Sequence, residues 1–135
     1  MQPFLFYWAV APPLFLIYLV YLFDRGSQKQ RNISLMVFIL GSLTVLPSFI
    51  VENVIGYFYS ISEPVPFGMS NIGIFFYVLI GIALVEEFFK FLVIKKYAYH
   101  QDEFKAPYDG ILYAVITSLG FALIENIIYV FVICI

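Results

Sequence analysis

The sequence predicts an all-α membrane protein, a single bundle of four transmembrane helices. Of its 135 residues, 63% are hydrophobic and only 12% are charged, whereas a soluble domain carries about a quarter charged residues. A bilayer span needs about 20 mostly apolar residues, and the chain contains four such apolar runs, separated by short polar segments. This composition excludes a soluble enzyme, a disordered tail and a nucleic-acid-binding module.

The first two runs lie in the N-terminal half, and we expect transmembrane helices over 4–23 and 33–51. No basic residue precedes the first run and no small-residue cleavage site follows it, so it is not expected to be a cleaved signal peptide. Pro12 and Pro13 are expected to bend the first helix. A membrane bundle tolerates such prolines if neighbouring helices satisfy the carbonyls that they leave free. Glu52 follows the second run and is expected to be solvated at the outer interface.

The other two helices are expected over 72–94 and 111–134. Between them lies the polar loop 95–110, near whose end Asp109 is expected to cap the last helix. The last run reaches the end of the chain without a charged or aromatic stop. We therefore expect residues 1–135 to form one transmembrane domain, the N-terminal part of a longer one.

The loops differ in their basic residues, which predicts an orientation. Loops 24–32 and 95–110 each carry three Lys or Arg residues, whereas segment 52–71 carries none. Lys and Arg concentrate in the cytoplasmic loops of membrane proteins. We therefore expect the two basic loops to be cytoplasmic and the N-terminus to lie outside.

The charged residues within the apolar runs are the strongest functional signal. An ionisable side chain at the bilayer centre costs about 2.5–3.5 kcal/mol on insertion scales, yet Glu86, Glu87 and Lys90 occur together in the third run. Lys90 follows Glu86 by four residues and Glu87 by three, so it can pair with either carboxylate. One lysine cannot neutralise two carboxylates, which leaves one of them for general acid–base chemistry.

Glu125 in the fourth run lies at a similar depth. At 1.5 Å per residue, Glu86 is about 13 Å and Glu125 about 21 Å from the cytoplasmic ends of their helices, near the middle of a hydrocarbon layer about 30 Å thick. We therefore expect these carboxylates to meet in one buried polar site. Because successive helical residues point about 100° apart, only one of Glu86 and Glu87 is expected to face it. The alternatives are a buried ion pair that fixes helix register and, for Glu125, an interhelical hydrogen bond.

Two blocks of the sequence resemble the motifs of the PrsW intramembrane proteases. Residues 86–90 (EEFFK) resemble the EExxK motif, and 109–113 (DGILY) followed by 120–126 (GFALIEN) resemble the DGxxY…GFAxxEN block, in the same order and with fitting spacing. The resemblance covers about 80–130, and the first two helices match in hydrophobic character only. It implies a polytopic protease of the bacterial plasma membrane, related to the CAAX-type prenyl endopeptidases. Such enzymes cut a membrane-anchored protein such as an anti-sigma factor, as part of regulated proteolysis.

The resemblance also implies roles for individual residues. Glu86, Glu87 and Glu125 would be catalytic, one of them the general base on the attacking water, with Lys90 and Asn126 as supporting polar groups. Family members are described as metalloproteases, and related enzymes are argued to use glutamate alone, so both mechanisms stay open. Zinc is the cofactor of the first mechanism, with the same glutamates as candidate ligands. The family pattern continues into later helices that supply histidine. No apolar run here contains one, so a zinc site would lack its usual nitrogen ligands.

Two other functions would use the same residues. A catalytically inactive relative would act as a membrane-embedded scaffold that grips transmembrane segments through the polar pocket. A proton- or cation-coupled carrier would move ions with the carboxylates, but the sequence lacks the inverted repeats and paired broken helices of such carriers. The expected partners are a transmembrane protein substrate and the lipid bilayer, with no nucleic acid. The sequence does not indicate an oligomeric state.

Overall fold

The computed structural model describes residues 3–23, 27–62 and 71–133, and every regular element in these ranges is helical. The α-helices of this part of the chain are α1 (Pro3–Phe23), α2 (Gln28–Leu43), α3 (Val45–Ser62), α4 (Asn71–Phe76), α5 (Leu84–Lys96) and α6 (Pro107–Ile133). A π-helical segment, Tyr77–Ala83, joins α4 to α5, and a short 3₁₀ turn, Ala98–His100, follows α5.

Four helical stretches are long and apolar enough to cross a membrane. They are Phe4–Leu22, Gln28–Tyr59, Ile72–His100 and Pro107–Val132. The predicted all-α fold with four spans is therefore confirmed. The last predicted helical residue, number 134, lies outside the described residues.

The second span is longer than the predicted 33–51 at both ends. It starts at Gln28 because Ser27 caps the helix, its Oγ accepting the Gln30 N–H at 3.2 Å. It ends at Tyr59, and the helix itself continues to the end of α3 at Ser62. The hydropathy pattern located only the apolar middle of this span, since its first turn and its C-terminal third carry polar residues.

A break at Thr44 divides the second span into α2 and α3. The Thr44 N–H donates to the carbonyls of both Leu40 and Gly41, and its hydroxyl donates to Gly41 O at 2.6 Å. Three residues later Pro47 has no N–H to offer the carbonyl of Leu43, so a regular helix cannot continue unchanged through this point. Helix α3 therefore starts as a new element at Val45, within the same membrane span.

The fourth span also starts earlier than predicted, at Pro107 rather than 111. Proline suits the first helical position, where its missing N–H would have no intrahelical partner. Asp109 is not the N-cap but lies in the first turn, where its Oδ2 accepts the N–H groups of Lys105 and Ala106 at 2.9 Å each. It thus stabilises the helix start by reaching backward, as the acidic residue of a capping box does.

Helices α2 and α6 form the closest contact of the bundle. A Cβ atom added to Gly41 would collide with the Thr117 carbonyl, and one added to Gly120 would collide with the Phe38 carbonyl. Such close backbone approach between membrane helices needs residues without side chains at the contact. The buried core lies at the end of this contact that adjoins the 95–110 loop, and it comprises Ile33, Val37, Ala98, Leu112, Tyr113 and Ile116.

The π-helical segment packs against α3. The rings of Tyr77 and Tyr59 stack with their centroids 4.7 Å apart. Gly81 is buried, and a Cβ atom there would lie 3.1 Å from Ile55 Cγ2. The third span therefore approaches α3 along the segment that precedes the Glu86–Glu87 pair.

Candidate functional site

Three glutamates from three helices line one cavity of about 240 Å³. Glu52 comes from α3, Glu86 from α5 and Glu125 from α6, and each is half-buried. The other residues of the wall are mostly apolar: Val45, Ser48, Phe49, Phe121, Ile128, Tyr129 and Val132. The structure thus places the carboxylates of the third and fourth spans at one internal site, together with a third carboxylate.

Lys90 supplies the positive charge beside this cavity. Its Nζ lies 2.8 Å from Glu87 Oε1 and 3.3 Å from Glu86 Oε2. It also sits 4.0 Å from the centre of the Phe121 ring, within the range of a cation–π interaction. Since Lys90 is only 9% exposed, its ammonium group needs these partners, and the helical spacing of three and four residues provides them.

Glu86 and Glu87 face different surroundings. The Glu86 side chain is 18% exposed and lines the cavity, whereas the Glu87 side chain is 69% exposed and does not. This follows from the angle of about 100° between successive helical residues. Glu87 therefore meets the site only through Lys90, and Glu86 is the member of the pair that faces the cavity.

Glu52 is the cavity residue that sequence reasoning missed. It is predicted to be solvated at the outer interface, whereas the structure leaves it half-buried in the cavity wall, with α3 continuing for ten residues beyond it to Ser62. The signal that identifies it is the helical spacing of Val45, Ser48, Phe49 and Glu52, which puts all four on one face of α3. That face forms one wall of the cavity.

Asn126 lies beside Glu125 in sequence but serves another contact. Its Nδ2 donates to the carbonyl oxygen of Ala9 in α1 at 3.0 Å. In a regular helix that carbonyl would accept the N–H of Pro13, which proline lacks. The structure thus supplies a partner for the carbonyl that Pro13 leaves free, and the Asn126 amide holds α1 against α6.

The described residues do not fit a zinc site. Within residues 3–23, 27–62 and 71–133, no three His, Cys, Asp or Glu side chains are grouped so that they could hold a metal ion. His100 lies in the 3₁₀ turn beyond α5, exposed, with its ring against Tyr99. Among the described residues, the cavity therefore offers carboxylate oxygens as ligands, without the nitrogen donors that zinc usually takes.

The fold and the site together define a polytopic helical membrane protein with an internal acidic cavity. The model of the PrsW family intramembrane metalloproteases matches residues 29–134, and the chain belongs to that family. The resemblance drawn from the two motif blocks is confirmed, and the match extends it into the second span and so includes Glu52.

Relatives from three bacteria show the extent of the similarity. The chain is 42% identical over 120 residues to protease PrsW of Oceanobacillus iheyensis, 34% over 120 residues to that of Geobacillus kaustophilus, and 30% over 122 residues to that of Bacillus subtilis. Each match covers 89% of this chain but only 51%, 49% and 50% of the respective relative. The chain therefore spans about half the length of the curated relatives it matches. No solved structure matches it.

Proposed function

We propose that this protein is an intramembrane endopeptidase that cuts a membrane-anchored protein, with Glu86 as the general base. The observation that carries the proposal is the cavity in which Glu52, Glu86 and Glu125 meet among apolar side chains of membrane-spanning helices. Hydrolysis within a bilayer needs a place that holds water and a group that takes its proton. Carboxylates inside membrane spans are expensive and mark functional sites.

Glu86 is the proposed base because it alone combines two properties. It lines the cavity, and it is paired with Lys90 at 3.3 Å, which balances its negative charge. In the reaction, Glu86 takes a proton from water while the water oxygen bonds to the peptide carbonyl carbon and the C=O π electrons move to oxygen. The C–N bond then breaks as the C=O bond re-forms, and Glu86 returns the proton to the leaving nitrogen. Glu125 accepts a hydrogen bond from the other O–H of the water, which stays on the attacking oxygen, and so orients the water.

Glu87 and Lys90 are proposed to position Glu86 rather than to contact the substrate. The shorter contact of Lys90 is with Glu87, at 2.8 Å, so Glu87 holds the ammonium group from its outer side. Lys90 in turn is fixed over the Phe121 ring. The resemblance implies a catalytic role for both glutamates. The proposal gives that role to Glu86, which faces the cavity, and gives Glu87 a positioning role through Lys90.

Zinc stays a prediction of the resemblance. The described side chains do not group as a metal site, and the steps above use only carboxylate chemistry. Measuring the zinc content of the purified natural protein by mass spectrometry tests that prediction. If the natural protein contains stoichiometric zinc and Glu86→Gln does not, then Glu86 is needed for zinc binding. Ligands beyond the residues that line the cavity would then be required as well.

The proposed substrate is a membrane-anchored protein of the anti-sigma-factor type, a class that rests on the family resemblance alone. The proposed orientation has loops 24–32 and 95–110 in the cytoplasm. It is supported by a contact between the two basic segments, since Lys29 Nζ lies 2.7 Å from Glu103 Oε1. Both segments therefore lie at the same end of the bundle. Reporter fusions at these loops test the side on which they lie.

The test of the proposed function is cleavage by the natural protein in proteoliposomes, compared with Glu86→Gln. The substitution removes the base while keeping size and shape, and we expect cleavage to be lost. Glu103→Gln in the cytoplasmic-side loop is the matched control and should cleave normally. Full activity of Glu86→Gln would refute the proposal. A natural protein that captures single-span proteins without cutting them, equally well with Glu86→Gln, would support the scaffold instead.

A further inference from the structure

Ser48 of α3 is a polar wall residue of the acidic cavity whose hydroxyl has no partner among the described residues. The side chain is only 1% exposed. A buried hydroxyl without a hydrogen bond costs about 1–3 kcal/mol, and such groups require an explanation. Ser48 lies one helical turn before Glu52, on the face of α3 that forms the cavity wall.

Being unpaired is not by itself a sign of function. Ser34 of α2 is also 1% exposed with an unpaired hydroxyl. Ser34 lies on α2 between Ile33 and Val37, which belong to the apolar core, and it does not line the acidic cavity. Ser48 differs from Ser34 in its position, since it shares a wall with three carboxylates.

Peptide hydrolysis by carboxylates needs a hydrogen-bond donor for the oxyanion that forms on the carbonyl. Ionised carboxylates are acceptors only. The other donors near the cavity are already used: Lys90 by two carboxylates and a phenyl ring, and Asn126 by a carbonyl of α1. The Tyr129 hydroxyl lies beside the Glu125 carboxylate and interacts with it. Of the side chains that line the cavity, Ser48 offers a hydroxyl that is not committed.

We propose that Ser48 is a further catalytic residue, whose hydroxyl donates a hydrogen bond to the carbonyl oxygen of the peptide bond that is cut. With no partner to hold it, the hydroxyl can turn between staggered rotamers toward an oxygen placed in the cavity. The bond strengthens as negative charge develops on that oxygen, so it lowers the barrier more than it improves binding. This inference rests on the proposed peptidase function.

The test compares Ser48→Ala with Ser34→Ala in the natural protein reconstituted in proteoliposomes. The probe is a fluorescently tagged single-span membrane protein that the unsubstituted protein cuts. Loss of one oxyanion donor lowers kcat by about 10²–10³-fold, so Ser48→Ala should show such a loss with little change in KM. Ser34→Ala should cleave normally. Both variants remove an unpaired buried hydroxyl, so neither should lower the thermal stability. Ser48→Thr, which keeps the hydroxyl, should retain activity.

The outcomes separate this inference from the proposed function. If Glu86→Gln is inactive while Ser48→Ala cleaves normally, the role of Ser48 is overturned and the peptidase stands. If Ser48→Ala raises KM and leaves kcat unchanged, its hydroxyl binds the substrate without stabilising the oxyanion, which also overturns the inference. If Glu86→Gln cleaves normally, the proposed function is refuted, and the inference about Ser48 is refuted with it. Loss of kcat in both serine variants would indicate a packing effect and overturn the inference as well.

Discussion

Replacing Asn126 with alanine should loosen the contact between α1 and α6 without touching the acidic cavity. The substitution removes the 3.0 Å hydrogen bond to the Ala9 carbonyl. Hydrogen bonds between membrane helices average about 0.6 kcal/mol and reach about 1.7 kcal/mol. The value expected here is at the upper end of that range, about 1.5 kcal/mol, because Pro13 leaves the carbonyl without a helical partner and no water replaces it in the bilayer.

A double-mutant cycle isolates this contribution. Alanine at position 13 restores the N–H that can bond to the Ala9 carbonyl within α1, so the loss of the Asn126 amide should then matter less. We expect a coupling of about 1 kcal/mol between Asn126→Ala and Pro13→Ala. The assay is equilibrium unfolding of the purified protein in mixed micelles, followed by circular dichroism.

Asn53→Ala provides the matched control. The Asn53 amide donates to the Phe49 carbonyl of its own helix at 2.7 Å, at an exposed position, so its loss breaks no contact between helices. Its free energy of unfolding should stay near that of the unsubstituted protein. Strictly additive effects of the Asn126 and Pro13 substitutions would refute the reasoning, since they would mean that the amide does not depend on the missing N–H.

Three further predictions concern the ion pair, the closest helix contact and the loops. Glu87→Gln should reduce cleavage less than Glu86→Gln, because Lys90 keeps its contact with Glu86; equal losses in a rate assay would contradict the positioning role. Gly120→Ala should destabilise the bundle by about 1–3 kcal/mol in micelle unfolding, since the added Cβ meets backbone of α2; an unchanged stability would refute this. A hydrogen bond from a lysine of α2 holds the pKa of the Glu103 carboxyl below its usual value. A lowered carboxyl pKa adds stability that is fully present above the unfolded pKa and is lost as the pH falls through the folded pKa. The acid dependence of unfolding should therefore flatten in Glu103→Gln, and an identical pH profile would exclude the contact in solution.

The sequence was sufficient to predict the four membrane spans, because in a chain with so few charged residues a long apolar run is best explained as a transmembrane helix. The distances of Glu86 and Glu125 from the ends of their helices predicted that the two would meet, since helical rise converts residue number into distance, and both line one cavity. It could not show which of Glu86 and Glu87 faces inward, because that depends on the helices packed around α5. Glu52 was missed because the second predicted helix was ended at its first charged residue. A helix continues past a charged residue as long as its backbone hydrogen bonds continue.

The role of Asn126 could not be read from the sequence for a different reason. Its partner is a backbone carbonyl 117 residues away, and that carbonyl is available only because a proline sits one turn further along α1. A motif match identifies the asparagine but not the acceptor atom to which its amide donates. Contacts of this kind depend on two helices meeting at one level, which no local pattern encodes.

The π-helical segment Tyr77–Ala83 has a consequence for the side of α5 on which each glutamate lies. Hydrogen bonds in a π-helix span five residues rather than four, so this stretch holds more residues per turn than the α-helix on either side. The faces of α4 and α5 are therefore out of phase with a continuous α-helix. Removing one residue from the segment would turn everything after it by about 100°, so that Glu87 would take the inward direction that Glu86 has now. The direction of Glu86 is thus encoded in seven residues, none of which lines the cavity that it faces.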